Sequence, residues 1–139
     1  MIINFKVWHH TVEVQKMSNG NLGKVYQGGD TIVRQGESGN CMYVIQDGEV
    51  EVVRSHNGSA VRLAVLGQGE FFGEISLFGN DKRSATVRAI GEARVMTVDK
   101  KIFMGRIQED RSLAFRIFQA MAERINKSNS ELVALKAVH

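Results

Sequence analysis

The chain has 139 residues, 43% of them hydrophobic, which is enough for one packed domain and too apolar for a disordered segment. Its 18 basic and 15 acidic residues leave a net charge of +3. That balance argues against a nucleic-acid surface, so any anion the chain binds should be small. No apolar run is long enough to cross a bilayer, and the opening MIINFKVWHH lacks a secretory pattern. The expected location is therefore the cytoplasm. The single cysteine, Cys41, cannot form an internal disulfide and reads as a small buried hydrophobe in a reducing compartment.

Three zones follow in chain order. Residues 1–20 have mixed texture; Val7, Val12 and Val14 admit a short strand or a helix, and Met17–Asn21 reads as a loop. Residues 21–99 look like a run of short strands. Glycines at 28, 29, 36, 39, 48, 58, 67, 69, 73, 79 and 91 punctuate β-branched segments, a spacing that predicts an all-β sandwich or barrel. Met42–Ile45, then Asp47–Gly48, then Glu49–Val53 predicts a hairpin, because Asp-Gly supplies the positive φ of tight turns. Val50 and Val52 alternate with Glu49 and Glu51, so one face should be buried and one wet. Asn57–Gly58 is a second turn signal, leading into Val61, Leu63 and Val65.

From residue 100 the period changes. Lys100 and Lys101 beside Asp99 read as a solvated turn, and Ile102, Phe103 and Ile107 open a short helix. Leu113, Ile117, Met121, Ile125, Ser128, Leu132 and Leu135 then follow in steps of four and three, an apolar stripe broken once by a serine. Asp110 is placed to N-cap this second helix. About 25 residues at 1.5 Å each is roughly 37 Å, more than a small domain can cover. Part of the stripe should meet a second copy, so a homodimer through the C-terminal helix is expected.

The chemistry concentrates in GEFFGEISLFGNDKRSATVRA, residues 69–89. Phe71, Phe72, Ile75, Leu77 and Phe78 would anchor this segment, and Glu74 and Arg83 stand between the anchors. A guanidinium is a planar fork that matches the two free oxygens of a phosphodiester. The small Ser84 and Ala85 let backbone N–H groups approach an anion closely. A carboxylate is acceptor-only and suits a sugar hydroxyl. The same pair could also be a structural Glu74–Arg83 ion pair pinning a loop, and spacing does not separate the two.

This segment resembles the phosphate-binding cassette of the cyclic-nucleotide-binding domain family. The matching residues are Phe72–Gly73–Glu74–Ile75–Ser76–Leu77 and then Arg83–Ser84–Ala85–Thr86–Val87. Residues 29–53 are similar to the family's glycine-punctuated opening strands, and the likeness covers about residues 22–138. The resemblance implies a mainly β fold with flanking helices: a double-stranded β-helix, or jelly roll, over residues 21–110, followed by a long lid and dimerisation helix over 111–139. It implies that Arg83 pairs with the cyclic phosphate and Glu74 accepts from the ribose 2′-hydroxyl. Gly73, Ile75, Ser76, Ser84 and Ala85 would complete the cassette around the ligand. Leu77–Lys82 would be the short cassette helix, with its N-terminal end toward the anion. Lys82 stands where many members carry proline.

For the base, the resemblance puts Val52, Leu63 and Leu66 on an apolar wall against the purine, where ordinary core is the other reading. Ser128 and Asn129 fall where bacterial catabolite-activator-type sensors carry two polar residues that reach the adenine amino group; a register-setting polar break is the alternative. Ser84 occurs with either base and does not decide it; with Ser128 and Asn129 added, cAMP is favoured and cGMP stays open. The expected function is a regulatory sensor that binds a cyclic nucleotide and repositions its C-terminal helix. It needs no further cofactor. The alternatives are the sensor half of a transcription regulator of the catabolite-activator type and a cGMP module. The chain stops at His139, directly after the helix, with no second basic recognition helix, so nucleic acid is not an expected partner of this chain alone. It is either a stand-alone domain or cut before an output domain, and the lack of a long apolar run leaves no expected membrane partner. His9, His10, His56 and His139 are scattered without ligand-spaced partners, and no nucleophile has a base beside it; neither a metal site nor an enzyme is expected.

Overall fold

The computed structural model describes residues 22–77, 79 and 82–138; the N-terminal segment 1–20 lies outside the described residues, as do the side chains of residues 128, 131, 132 and 134–138. Six strands form: β1 (Lys24–Tyr26), β2 (Thr31–Val33), β3 (Cys41–His56), β4 (Ser59–Gly67), β5 (Phe71–Phe72) and β6 (Thr86–Asp99). Helix α1 (Lys100–Glu109) and helix α2 (Arg111–Val138) follow. All strand pairs are antiparallel, in the order β1-β6-β3-β4, with β2 on β6 and β5 on β3. This is the expected mainly β, jelly-roll-like architecture with C-terminal helices. Among the described residues no helix is long and apolar enough to cross a membrane.

The hairpin expected at Asp47–Gly48 does not form. β3 runs through it as a 16-residue strand, paired with β6 from Cys41↔Asp99 to Val53↔Thr86. The register shifts on both sides of Asp47, and Gly48 has φ +83°. A side chain at Gly48 would run into the Glu92 carbonyl and Ala93, so the Asp-Gly dipeptide makes a bulge where β6 crosses closely. Turn and bulge need the same left-handed backbone; only the presence of β6 decides between them. The expected turn at Asn57–Gly58 does form, with φ +52° and +81° and His56 paired to Ser59.

The bulge divides the core. Met42, Val44, Met96 and Val98 look toward the helices and pack with Phe71, Phe103, Leu113, Ile117 and Ala120. Ile45, Val50, Val87, Ala89 and Val95 fill the roll with Val33, Leu66 and Phe72. The first halves of β3 and the last of β6 are therefore covered on both faces, by the roll inside and by the helices outside.

Asp99, expected in a solvated turn, caps α1: its Oδ1 accepts from the Ile102 N–H at 2.8 Å, and Lys100 and Lys101 lie exposed in the first turn. Asp110 caps α2 as expected, accepting from the Ser112 N–H at 3.1 Å. The apolar stripe of α2 does not continue as one face. Leu113, Ile117 and Ala120 are buried on the roll, but Ile125 is 61% exposed. It joins Phe115, Phe118 and Val133, also exposed, which at 100° per residue fall within a sector of about 80° opposite the buried face. α2 thus carries two apolar faces, and the roll covers one of them.

Candidate functional site

β5 is two residues long, and its phenylalanines are both buried, pinning the following segment to β3 through Tyr43↔Phe72 and Val44↔Phe71. Gly73 then turns the chain with φ +78°, a conformation costly for a residue with a Cβ. A 3-10 turn occupies Glu74–Leu77, in which the Ser76 N–H donates to the Gly73 carbonyl at 3.2 Å. This turn comes ahead of the helix expected at 77–82, and residues 78, 80 and 81 lie outside the described residues. Ser76 and Leu77 point inward, while Ile75 is exposed.

Arg83 reaches the same turn from the other side. Its backbone is clipped to the β2–β3 loop: its N–H donates to the Glu37 carbonyl at 2.7 Å, and its carbonyl accepts from the Gly36 N–H at 2.8 Å. Arg83 as a whole is only 8% exposed. Nη1 donates to the Gly73 carbonyl at 3.3 Å and Nη2 to the Cys41 carbonyl at 2.9 Å, with the Cys41 Sγ at 3.7 Å. The guanidinium also lies 5.6 Å from the centre of the Tyr43 ring, which stacks on Phe72. Cys41 is half-buried beside this charge, not a plain core residue as expected. Burial, first, and a hydrogen bond with Cys41 push the Tyr43 phenol up to about 12, so the ring stays neutral near Arg83.

No carboxylate among the described residues pairs with Arg83. The structural Glu74–Arg83 ion pair is therefore not what forms. Glu74 turns instead to α2, where Arg124 Nη1 donates to its Oε1 at 3.1 Å. Arg124 Nη2 donates to the Phe71 carbonyl at 2.9 Å, and its guanidinium covers the Phe71 ring at 4.6 Å. Burial lowers the Arg124 pKa, and Glu74 works against that shift. Oε2 of Glu74 keeps its acceptor capacity.

Glu74, Ile75, Met121, Arg124, Ile125 and Asn129 line a cavity of about 250 Å³ between the turn and α2. Of the predicted residues, Gly73, Glu74, Ile75, Ser76 and Arg83 come together around the turn, and Asn129 meets Glu74 and Ile75 across the cavity. Ser84 is exposed and Ala85 half-buried where the chain enters β6. Val52 and Leu66 pack in the roll, Leu63 is exposed on β4, and none of the three lines this cavity. The Ser128 side chain lies outside the described residues. Sequence reasoning missed Arg124. Its signal was there: it stands four residues after Ala120 and seven after Ile117, on the buried face of α2.

The arrangement can hold one small anion against a buried guanidinium while a fixed carboxylate accepts from a neighbouring hydroxyl. Comparison with known proteins gives the same chemistry a name. The family profile described as "Cyclic nucleotide-binding domain" matches residues 23–110. The cAMP-dependent protein kinase regulatory subunit of Schizosaccharomyces pombe is 40% identical over 89 residues, 64% of this chain and 21% of that protein. The Cyclic AMP receptor protein of Thermus thermophilus is 31% identical over 110 residues, 78% of this chain and 51% of that protein. The crystal structure of the Thermus thermophilus Catabolite Activator Protein matches with a TM-score of 0.80 at 27% identity, covering 95% of this chain and 62% of that one. The chain spans between a fifth and about half of the length of these two curated relatives.

Proposed function

The chain belongs to the cyclic nucleotide-binding domain family, and from that premise we propose that it is a regulatory sensor that binds cAMP and uses the ligand to hold α2 in place. The observation that carries this reading is Arg83. A charge this buried, with backbone carbonyls as partners and no carboxylate beside it among the described residues, is stabilised by an anion that arrives with the ligand. A cyclic phosphate fits the fork. The ribose 2′-hydroxyl donates to Oε2 of Glu74, whose other oxygen Arg124 already holds.

Gly73, Ser76, Ser84 and Ala85 supply the close backbone around the phosphate, and Ile75 flanks the sugar. Leu63 and Val52 are the apolar surface we assign to the purine edge, with Leu66 behind them in the core. Asn129, on the cavity rim, is the residue we assign to the adenine amino group; the resemblance pairs Ser128 with it. The assignment of adenine as the base is supported by Asn129 and by relatives named for cAMP at 40% and 31% identity.

The output is a population shift. A ligand that contacts Glu74 also acts on Arg124, and through it on α2, so it favours the state in which the helix closes the cavity. The exposed face of α2, with Phe115, Phe118, Ile125 and Val133, is the surface through which we propose two copies pair. We assign this chain the role of a binding module in the cytoplasm.

Titration calorimetry with cAMP and with cGMP tests the reading. Binding of cAMP in preference to cGMP is expected. Preference for cGMP would move the assignment to the other base, and no heat with either nucleotide would overturn the sensor.

A further inference from the structure

Arg83 does more than sit near the turn; its guanidinium is enclosed. Gly73 closes one side, where a Cβ would meet Nη1 at 2.6 Å, and the Tyr43 ring closes another at 5.6 Å. A third wall is Gly39, on the loop between β2 and β3. A Cβ at Gly39 would run into Nε, Cζ and Nη2 of Arg83, and these are its three nearest atoms.

The two glycines differ in kind. Gly73 has φ +78°, so its lack of a side chain also serves the backbone. Gly39 lies outside the left-handed region, where any residue is tolerated by the chain itself. Its missing side chain has no backbone task to perform. We propose that Gly39 is a positioning residue for the phosphate site: its bare backbone is the slot that fixes the plane of the Arg83 guanidinium. This rests on the reading of Arg83 as the phosphate-binding group.

The consequence separates binding from folding. A methyl group at position 39 meets the free end of a flexible side chain, so the fold accommodates it by moving that end. Restoring ordinary van der Waals contact, which begins near 3.4 Å, requires the guanidinium to move by roughly 1 Å. Its bond to the Cys41 carbonyl is 2.9 Å long and does not survive such a shift. A bidentate grip on a phosphodiester is lost with it. Misplacement of this size lowers function by about ten- to a hundredfold in comparable sites.

The test measures three things on Gly39→Ala and on the unsubstituted protein: cAMP affinity, melting temperature, and the NMR signal of the Arg83 Nε–H. The expected result is an affinity about ten- to a hundredfold lower, a nearly unchanged melting temperature and a displaced Nε–H signal. Unchanged affinity would overturn the inference. So would lost affinity with an unmoved Nε–H signal, or a large fall in melting temperature, since Gly39 would then be serving the fold. If the unsubstituted protein binds no cyclic nucleotide, the functional reading fails and takes this inference with it. If it binds and Gly39→Ala binds equally well, only the inference fails.

Discussion

Arg124→Ala removes the tie between the cassette turn and α2. Two hydrogen bonds from the guanidinium disappear, one to Glu74 at 3.1 Å and one to the Phe71 carbonyl at 2.9 Å, along with the contact over the Phe71 ring at 4.6 Å. Charge-assisted bonds contribute about 1.5–3 kcal/mol each, and the ring contact about 1 kcal/mol. Against that gross loss stands the desolvation of Arg124, which is the larger influence on its lowered pKa. Breaking a buried ion pair from one side typically destabilises by about 3–5 kcal/mol, because the other charge is left behind. Here the side chains of Arg124 and Glu74 are 25% and 14% exposed, so water offsets part of the penalty and about 2–3 kcal/mol is expected. For a chain of this length that is a fall in melting temperature of roughly 6–10 °C. Calorimetric melting without ligand measures it, and a double-mutant cycle with Glu74→Gln isolates the pair, with a coupling of about 1–2 kcal/mol expected. A melting temperature lowered by less than about 2 °C, or strictly additive effects, would show that the turn and α2 are not joined through this contact.

Three further outcomes follow from the same geometry. Arg83→Ala should weaken cAMP binding by about 2–5 kcal/mol, or from tens- to thousandsfold in calorimetry, because it removes the partner of a desolvated phosphate; unchanged affinity would mean the phosphate sits elsewhere. Phe118→Ser should shift the protein toward monomer in sedimentation, since burying one phenylalanine per copy contributes about 3–6 kcal/mol across a symmetric pair; an unchanged sedimentation coefficient would remove α2 from the interface. Tyr43 should impose an alkaline loss of stability. Its phenol is raised from 10.0 to about 12, so the folded state holds the proton more tightly than the unfolded state. That contribution is fully present below pH 10 and is lost as the pH rises toward 12. Tyr43→Phe should flatten this decline in urea melts; an identical slope would refute the burial argument.

The anchors of the cassette were legible in its residue types, but the assignment of Glu74 and Arg83 to a ligand came from the likeness to the family, because spacing alone left a structural ion pair equally open. Gly73 takes a positive φ, the phenylalanines anchor, and Arg83 and Glu74 supply charge at a spacing the fold closes up. What the linear chain hid were relations between distant segments. Asp47–Gly48 has the same composition as a hairpin turn and becomes a bulge because β6 passes alongside. Glu74 and Arg83 look like partners by proximity in sequence, yet each finds its contacts elsewhere, fifty residues on in Arg124 and forty-two back in Cys41. The single stripe expected on α2 misled for a similar reason. Leu113, Ile117 and Met121 do follow the roll, but Phe115 and Phe118 belong to a second face that period counting along one row does not reveal.

These separate tethers explain how one ligand can act on two parts of the molecule. Among the described residues Arg83 is held by the roll, through Cys41 on β3, Gly73 and the β2–β3 loop. A phosphate bound there gains the same contacts wherever α2 stands, and so contributes affinity without shifting the helix. Glu74 is held by α2 through Arg124, so any group that binds the carboxylate binds a position of the helix as well. The two sites lie on one turn, Glu74 following directly on the Gly73 whose carbonyl receives Arg83. A molecule joining a phosphate rigidly to a hydroxyl must occupy both at once, and only such a molecule transfers the affinity of the first into the conformational bias of the second. A cyclic nucleotide has that rigidity built into its fused rings, whereas free phosphate would leave α2 where it was and free ribose would reach Glu74 without the affinity of the phosphate.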